Sequence, residues 1–405
     1  MKRVALAASL LACPLATMAR ADEPPPPARH LRSLAHRPQA YGADTIPGDL
    51  LLGDLLFHSP RTLGPRARAM GLSCQTCHPN GAAAIAIALP APVGGARPGS
   101  VDLSTAHFRE GADDGIVNSV DIPSLRGVRS TAPYGRDGRT ASLAEFTADV
   151  ISGEFDGAPL SPARLRALVR YLDELDFLPN ANLDERGRLR AATSESARRG
   201  EHVFQRDCAS CHVPSSYFVD GRVHRVGSGA PASPAALDDG YETPTLLGLA
   251  ESAPYLHDGR CATLAEVVDF FAARLALQLT PSERADLIAY LSAVGAVQPA
   301  RDTRPLGQQL VEGTAYLALL TGGEWQRDRD VWTMALEESD AAIARHTISP
   351  LLVERINAAR GSLHALLDRV AAGAPLDALV PEVRRLREEL PRLAADWTGA
   401  RSRGE

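Results

Sequence analysis

Two short stretches of this 405-residue chain carry residue types suited to redox or metal chemistry: Cys74-Gln75-Thr76-Cys77-His78 and Cys208-Ala209-Ser210-Cys211-His212. Cysteines at i and i+3 share one side of a helical turn, and the histidine next in the chain leaves from the end of that turn. This is the attachment sequence of a c-type haem: both thiols add to the vinyl groups, and the histidine binds iron as proximal ligand. Cys74, Cys77 and His78 would hold one haem c, and Cys208, Cys211 and His212 a second. A zinc site built from all four cysteines leaves the two histidines unexplained, and a thioredoxin-type thiol pair does not call for two copies.

The elements that must position these motifs recur in the same order in two units. Leu52-Gly53-Asp54-Leu55-Leu56-Phe57 precedes the first motif as Arg199-Gly200-Glu201-His202-Val203-Phe204 precedes the second, each with apolar side chains spaced for one helix face. Pro133-Tyr134-Gly135-Arg136-Asp137-Gly138-Arg139 parallels Pro254-Tyr255-Leu256-His257-Asp258-Gly259-Arg260. Leu160-Ser161-Pro162 and Leu279-Thr280-Pro281 each open a helix, with Ser161 or Thr280 as N-cap and proline at the first helical position. Glycine and proline are dense between these blocks, so the expected fold is mainly α. Two tandem cytochrome c-type haem domains, residues 47–180 and 181–300, are followed by a cysteine-free helical extension, 301–405. Within it, Leu351–Val370 and Leu376–Leu393 read as amphipathic helices that pack on the other units or on a partner. A haem that replaces much of each small core makes the 5% aromatic content easier to understand.

Residues 1–21 read as a secretory signal: Lys2 and Arg3, then the apolar run Val4–Leu15, then Ala19-Arg20-Ala21 with cleavage after Ala21. Residues 22–46 form a proline-rich leader, with Pro24–Pro27 consecutive. That apolar run is too short to span a bilayer, and no transmembrane segment is expected. The expected location is the periplasm. A net charge of −6 gives no reason to expect a nucleic-acid partner. Of six cysteines, Cys13 leaves with the signal and Cys261 stands outside both motifs. Its plainest reading is a small buried side chain, with an intermolecular bridge as the alternative.

The two Cys-x-x-Cys-His units, each followed by a Pro-Tyr-x-x-Asp-Gly-Arg block, resemble the bacterial di-haem cytochrome c peroxidase and MauG-like family over about residues 48–297. Phe218 to Gly227 also resembles that family's Phe-x-x-x-x-x-His-x-x-Gly segment. The resemblance implies a periplasmic oxidoreductase in which the first haem meets hydrogen peroxide and the second exchanges electrons with a small redox protein, donor or acceptor. It implies a distal acid at Glu154 or Asp156. It also implies calcium between the units, with Asp121 at a ligand position and Ser252 and Pro254 where backbone carbonyls serve. A homodimer is the candidate assembly.

The sequence departs from the family at the sites that matter for peroxide. Phe271 stands where the second haem usually finds a methionine or tyrosine ligand, Arg136 where a tryptophan lies between the haems, and Phe146 where a glutamine faces peroxide. His224 and His257 are candidates for a sixth ligand or for propionate contacts. His107, in a loop about 13 residues longer than its counterpart, is a candidate distal ligand to the first iron. These substitutions keep a second reading open: a non-catalytic di-haem electron carrier serving another exported oxidoreductase.

Overall fold

The computed structural model describes residues 47–83, 100–103, 108, 115, 119–227, 240–297, 306–345 and 353–402. His107 and residues 1–46, which include the expected signal and leader, lie outside the described residues.

Each motif-bearing unit is built on a crossed pair of helices. In the first, α1 (Gly48–His58) packs on α5 (Pro162–Asp173); in the second, α6 (Glu195–Asp207) packs on α8 (Pro281–Gly295). Both crossings turn on a glycine. A Cβ at Gly53 would lie 2.1 Å from the Ala167 carbonyl oxygen, and one at Gly200 1.9 Å from that of Asp286. Only a bare backbone lets the helices approach so closely. One turn later an aromatic pair closes each crossing, Phe57 on Tyr171 and Phe204 on Tyr290, with centroids 5.1 and 4.7 Å apart. The second helix of each pair begins as the sequence indicates. Ser161 accepts from the Arg164 amide, and Thr280 forms a reciprocal capping box with Glu283.

The remaining helices are short or peripheral: α2 (Pro65–Ala69), the motif turn α3 (Cys74–Cys77), α4 (Leu143–Asp149) and α7 (Leu264–Arg274). Two small antiparallel hairpins complete the units: β1 (Ser100–Asp102) with β2 (Ser119–Asp121), and β3 (Val223–His224) with β4 (Tyr241–Glu242).

The extension forms α9 (Leu306–Gly313), α10 (Arg329–Arg345), α11 (Val353–Ala371) and α12 (Val380–Ser402), with a 3-10 stretch over Ala315–Leu320. It packs on the first unit and shares one continuous hydrophobic core with it, whereas the second unit has its own core. The cause is visible in α1, whose leucines are buried on more than one face. Leu50, Leu51, Leu52, Leu55, Leu56 and Phe57 are all buried, facing α5 on one side and the extension on the other. This differs from the single apolar face read from the sequence. By contrast α6 buries only Ala197, Gly200, Val203 and Phe204, on one face. The fork-like ion pair Arg61–Glu337 and the pair Arg164–Asp328, at 2.6 Å, fix the extension in register.

Between the two units, the Asp121 amide donates to the His257 carbonyl and the Glu242 amide to the Arg136 carbonyl, both at 2.8 Å. Asn180 Nδ2 donates to the carbonyls of Ala293 and Val294. Among the described residues no helix is long and apolar enough to cross a membrane.

Candidate haem sites

At the first motif, Ser73 caps α3 in a capping box with Thr76, and the single turn sets Cys74 and Cys77 on one side. The chain leaves the turn at His78, whose Nδ1–H donates to the Pro123 carbonyl at 2.9 Å. At the second motif, α6 ends at Cys208 and the His212 Nδ1–H donates to the Phe218 carbonyl at 3.0 Å. That carbonyl is presented by two successive left-handed residues, Tyr217 (φ 57°) and Phe218 (φ 59°), and the turn is tied by Thr245 Oγ1 donating to the Tyr217 carbonyl.

The same logic therefore operates twice. A proton held on Nδ1 by a backbone acceptor leaves the Nε2 lone pair for a metal and fixes the ring plane. Burial lowers the His78 pKa to about 4, against a weaker pull upward from Pro123, and lowers that of His212 as well. Both imidazoles are thus neutral, the form that binds iron.

The thiols fit the same group. Cys74, Cys77, Cys208 and Cys211 are free and half-buried, and Cys74, Cys77 and Cys208 pack at the edge of the apolar core of their unit. Burial pushes the thiols of Cys74 and Cys208 up to about 12 and that of Cys77 to about 11. This is the reverse of the electropositive setting that activates a thiolate redox pair. Nor do the two pairs converge on a four-cysteine zinc site. Among the described residues, the one cluster of three ligand-type side chains is Cys211, Asp220 and His224, which draws on a single motif cysteine.

Around the first unit's candidate acid, α4 runs into a π-helical turn over Val150–Glu154, a local widening that recurs at functional sites. It brings Glu154 to Arg139, whose guanidinium donates to Glu154 Oε1 and Asp149 Oδ2 at 3.2 Å and lies 5.0 Å over the Phe146 ring. Phe146 in turn stacks on Tyr134. Burial raises the Glu154 pKa, partly countered by Arg139. Asp156 lies two residues on, exposed, with φ 54°.

In the second unit, the Nε2 of His224 is held by Asp220 Oδ2 at 2.6 Å, which with Cys211 pushes its pKa up to about 10. The nitrogen facing Asp220 is thus held by that carboxylate and not offered to iron. The His257 ring packs on Tyr241 at 4.6 Å. Phe271, on α7, is half-buried edge-on to Phe270. Cys261 is buried and pairs with Tyr255 through backbone bonds, as its plain reading requires.

Arg136 lies between the units and donates to the His257 carbonyl at 2.6 Å. Burial pushes Glu242 up to about 8 and Asp121 up to about 7, with Arg136 opposing both. The importance of Glu242 was not legible in the sequence, because nothing in its spacing marks it as the half-buried neighbour of an arginine 106 positions earlier. The carbonyls of Pro123 and Phe218 escaped for a similar reason: any residue offers a carbonyl. Only a histidine flanked by turn-prone segments hints at them.

No known protein-family profile matches the chain. It is 24% identical over 262 residues to hydrazine synthase subunit gamma of Kuenenia stuttgartiensis, covering 48% of this chain and 72% of that protein. It is 29% identical over 199 residues to the methylamine utilization protein MauG of Methylorubrum extorquens, covering 44% of this chain and 49% of that one, so the match spans about half of MauG. Among solved structures, a variant of the di-haem peroxidase BthA from Burkholderia thailandensis aligns over 65% of this chain and 91% of its own, with TM-score 0.43 and 19% identity. With its paired motifs, each bearing an oriented histidine, the chain is similar to the MauG-type and di-haem cytochrome c peroxidase-like proteins.

Proposed function

We propose that this protein is a periplasmic di-haem c-type cytochrome, a peroxidase-type oxidoreductase that moves electrons between two haems to reduce hydrogen peroxide or oxidise a partner. The observation that carries the reading is the repeated pairing of a Cys-x-x-Cys turn with a neutral histidine whose Nδ1–H is taken by a backbone carbonyl. Bound haem would supply an iron that exchanges electrons and, where a coordination position is open, binds a peroxide oxygen. The chain's own residues do the rest. Cys74 and Cys77, and Cys208 and Cys211, would tether the two groups, and His78 and His212 would ligate them.

Glu154, its pKa raised by burial, would exchange a proton with the peroxide oxygens, while Arg139 fixes its carboxylate. Asp156, being exposed, is the weaker candidate for that role. A small redox protein would exchange electrons with the second haem, and a homodimer is the proposed assembly. Calcium fits poorly at Asp121, because the half-buried guanidinium of Arg136 already faces that carboxyl. No step is assigned to calcium at Asp121, Ser252 or Pro254.

The electron-carrier reading keeps one specific support, the phenylalanines at 146 and 271, which can neither move a proton nor bind iron. Mixing the mixed-valence protein with hydrogen peroxide separates the two. Peroxide consumption linked to oxidation of a reduced c-type donor supports the enzyme. Haem spectra that peroxide leaves unchanged support the carrier.

A further inference from the structure

The two units meet at equivalent points of their repeats. Asp121 and Glu242 each stand two residues before a proline, Pro123 or Pro244, and fifteen before the fourth residue of a Pro-Tyr block, Arg136 or His257. Across the junction the Asp121 amide donates to the His257 carbonyl and the Glu242 amide to the Arg136 carbonyl, so each unit gives one backbone bond and receives one. Every residue but proline can supply both groups. The exchange therefore asks for no particular side chain at 136 or 257.

The side chains at these equivalent points differ in what they do. The His257 ring packs on Tyr241 of its own unit, at 4.6 Å. The Arg136 guanidinium reaches into the second unit and donates from Nη1 to the His257 carbonyl at 2.6 Å, the oxygen that already accepts from Asp121. A charge-assisted bond of this kind is about twice as strong as a neutral one. The surroundings are tight: a Cβ at Gly138, two residues on, would lie 2.6 Å from Val223 Cγ2 of β3. From the shared carbonyl a short path leads to the first iron's candidate ligand. Asp121 is followed at Pro123 by the carbonyl that accepts from His78 Nδ1 at 2.9 Å.

We propose that Arg136 is the positioning residue of this junction: its guanidinium holds the His257 carbonyl, and with it the Asp121 strand, so that the two units and the carbonyl aiming His78 stay in register without a divalent ion. A tethered charge thus fills the place that the family resemblance gives to calcium. The half-buried guanidinium sits beside Asp121 and Glu242, which the backbone exchange brings to it from either unit, and it counters the upward push of burial on both carboxyls. The inference rests on the di-haem reading for what the junction spaces apart, but not on peroxide as substrate.

The test uses the full haem-loaded protein, with covalent haem content checked first. Low-temperature electron paramagnetic resonance reads the oxidised irons, and pulse-radiolytic reduction reads electron redistribution between the haems. The parent should give the same spectra and the same rate in EGTA and in millimolar calcium. Arg136→Gln should shift the g-values of the first haem, leave those of the second, and slow redistribution; loss of packing alone would lower stability without moving one haem's g-values. Arg136→Lys, which keeps the charge, should recover part of both effects. An Arg136→Gln protein indistinguishable from the parent, an Arg136→Lys protein no nearer to the parent than Arg136→Gln, or a parent that EGTA alters would overturn the proposal. The lysine variant and the EGTA comparison keep it open to refutation if Arg136→Gln fails to load haem. Failure of the di-haem reading would show separately, as a chain that does not carry two covalent haems.

Discussion

At the scale of single residues, the chemistry rests on which lone pairs the backbone leaves open. His78 and His212 were legible from spacing, but the groups that aim them are main-chain carbonyls, to which sequence is nearly blind. Replacing His212 with Ala should remove iron ligation in the second unit only, seen as loss of one of two haem contributions to the absorption and magnetic circular dichroism spectra. Glu154→Gln keeps shape and removes the titratable proton. It should cut peroxide turnover by about 100-fold or more with haem content unchanged, whereas Asp156→Asn should do much less. The second haem should show no thioether-to-iron charge-transfer band. Residues 181–300 contain no methionine, and Met70 and Met334 both pack with the first unit's core.

Half-buried Glu242 links this scale to stability. Its folded pKa, about 8, exceeds the ordinary 4.5, so between those values the native state binds the extra proton. Stability contributed by Glu242 is then present below about pH 4.5 and falls as pH rises towards 8. Glu242→Gln should flatten that slope, as read from urea midpoints across the range.

At the scale of elements, the sequence was most informative where a physical rule is local. Serine or threonine followed by proline opens α5 and α8, and the 3.6-residue period places α11 and α12 within a few residues of their expected starts. The glycines of the helix crossings were visible as repeated letters, but their purpose appears only when Ala167 and Asp286 face them. Gly200→Ala would drive a methyl into the Asp286 carbonyl. It should cost about 1–3 kcal/mol or more in the second unit through forced separation of α6 and α8. A lowered urea midpoint, followed through the second haem's absorption, is the expected observation.

At the scale of the whole molecule, the extension is the part least legible beforehand. Its helices were read correctly as amphipathic, but amphipathicity does not name a partner. The clue lay elsewhere, in the run of leucines around α1, Leu50, Leu51, Leu52, Leu55 and Leu56, which one neighbouring helix cannot cover. Removing residues 306–405 would expose Leu51 and neighbouring leucines, each worth about 1.5–3 kcal/mol when fully buried. The truncated protein should therefore lose the first unit's structure, as followed by limited proteolysis, while the second, with its separate core, stays resistant. All of this presumes that two haems are covalently in place. The most direct test is intact-mass spectrometry of the exported protein with acid–acetone extraction. The account predicts a mass increased by two haems and colour that stays with the polypeptide, falling to one haem in Cys74→Ala/Cys77→Ala. A colourless chain carrying four free thiols, or haem that extracts completely, would contradict it.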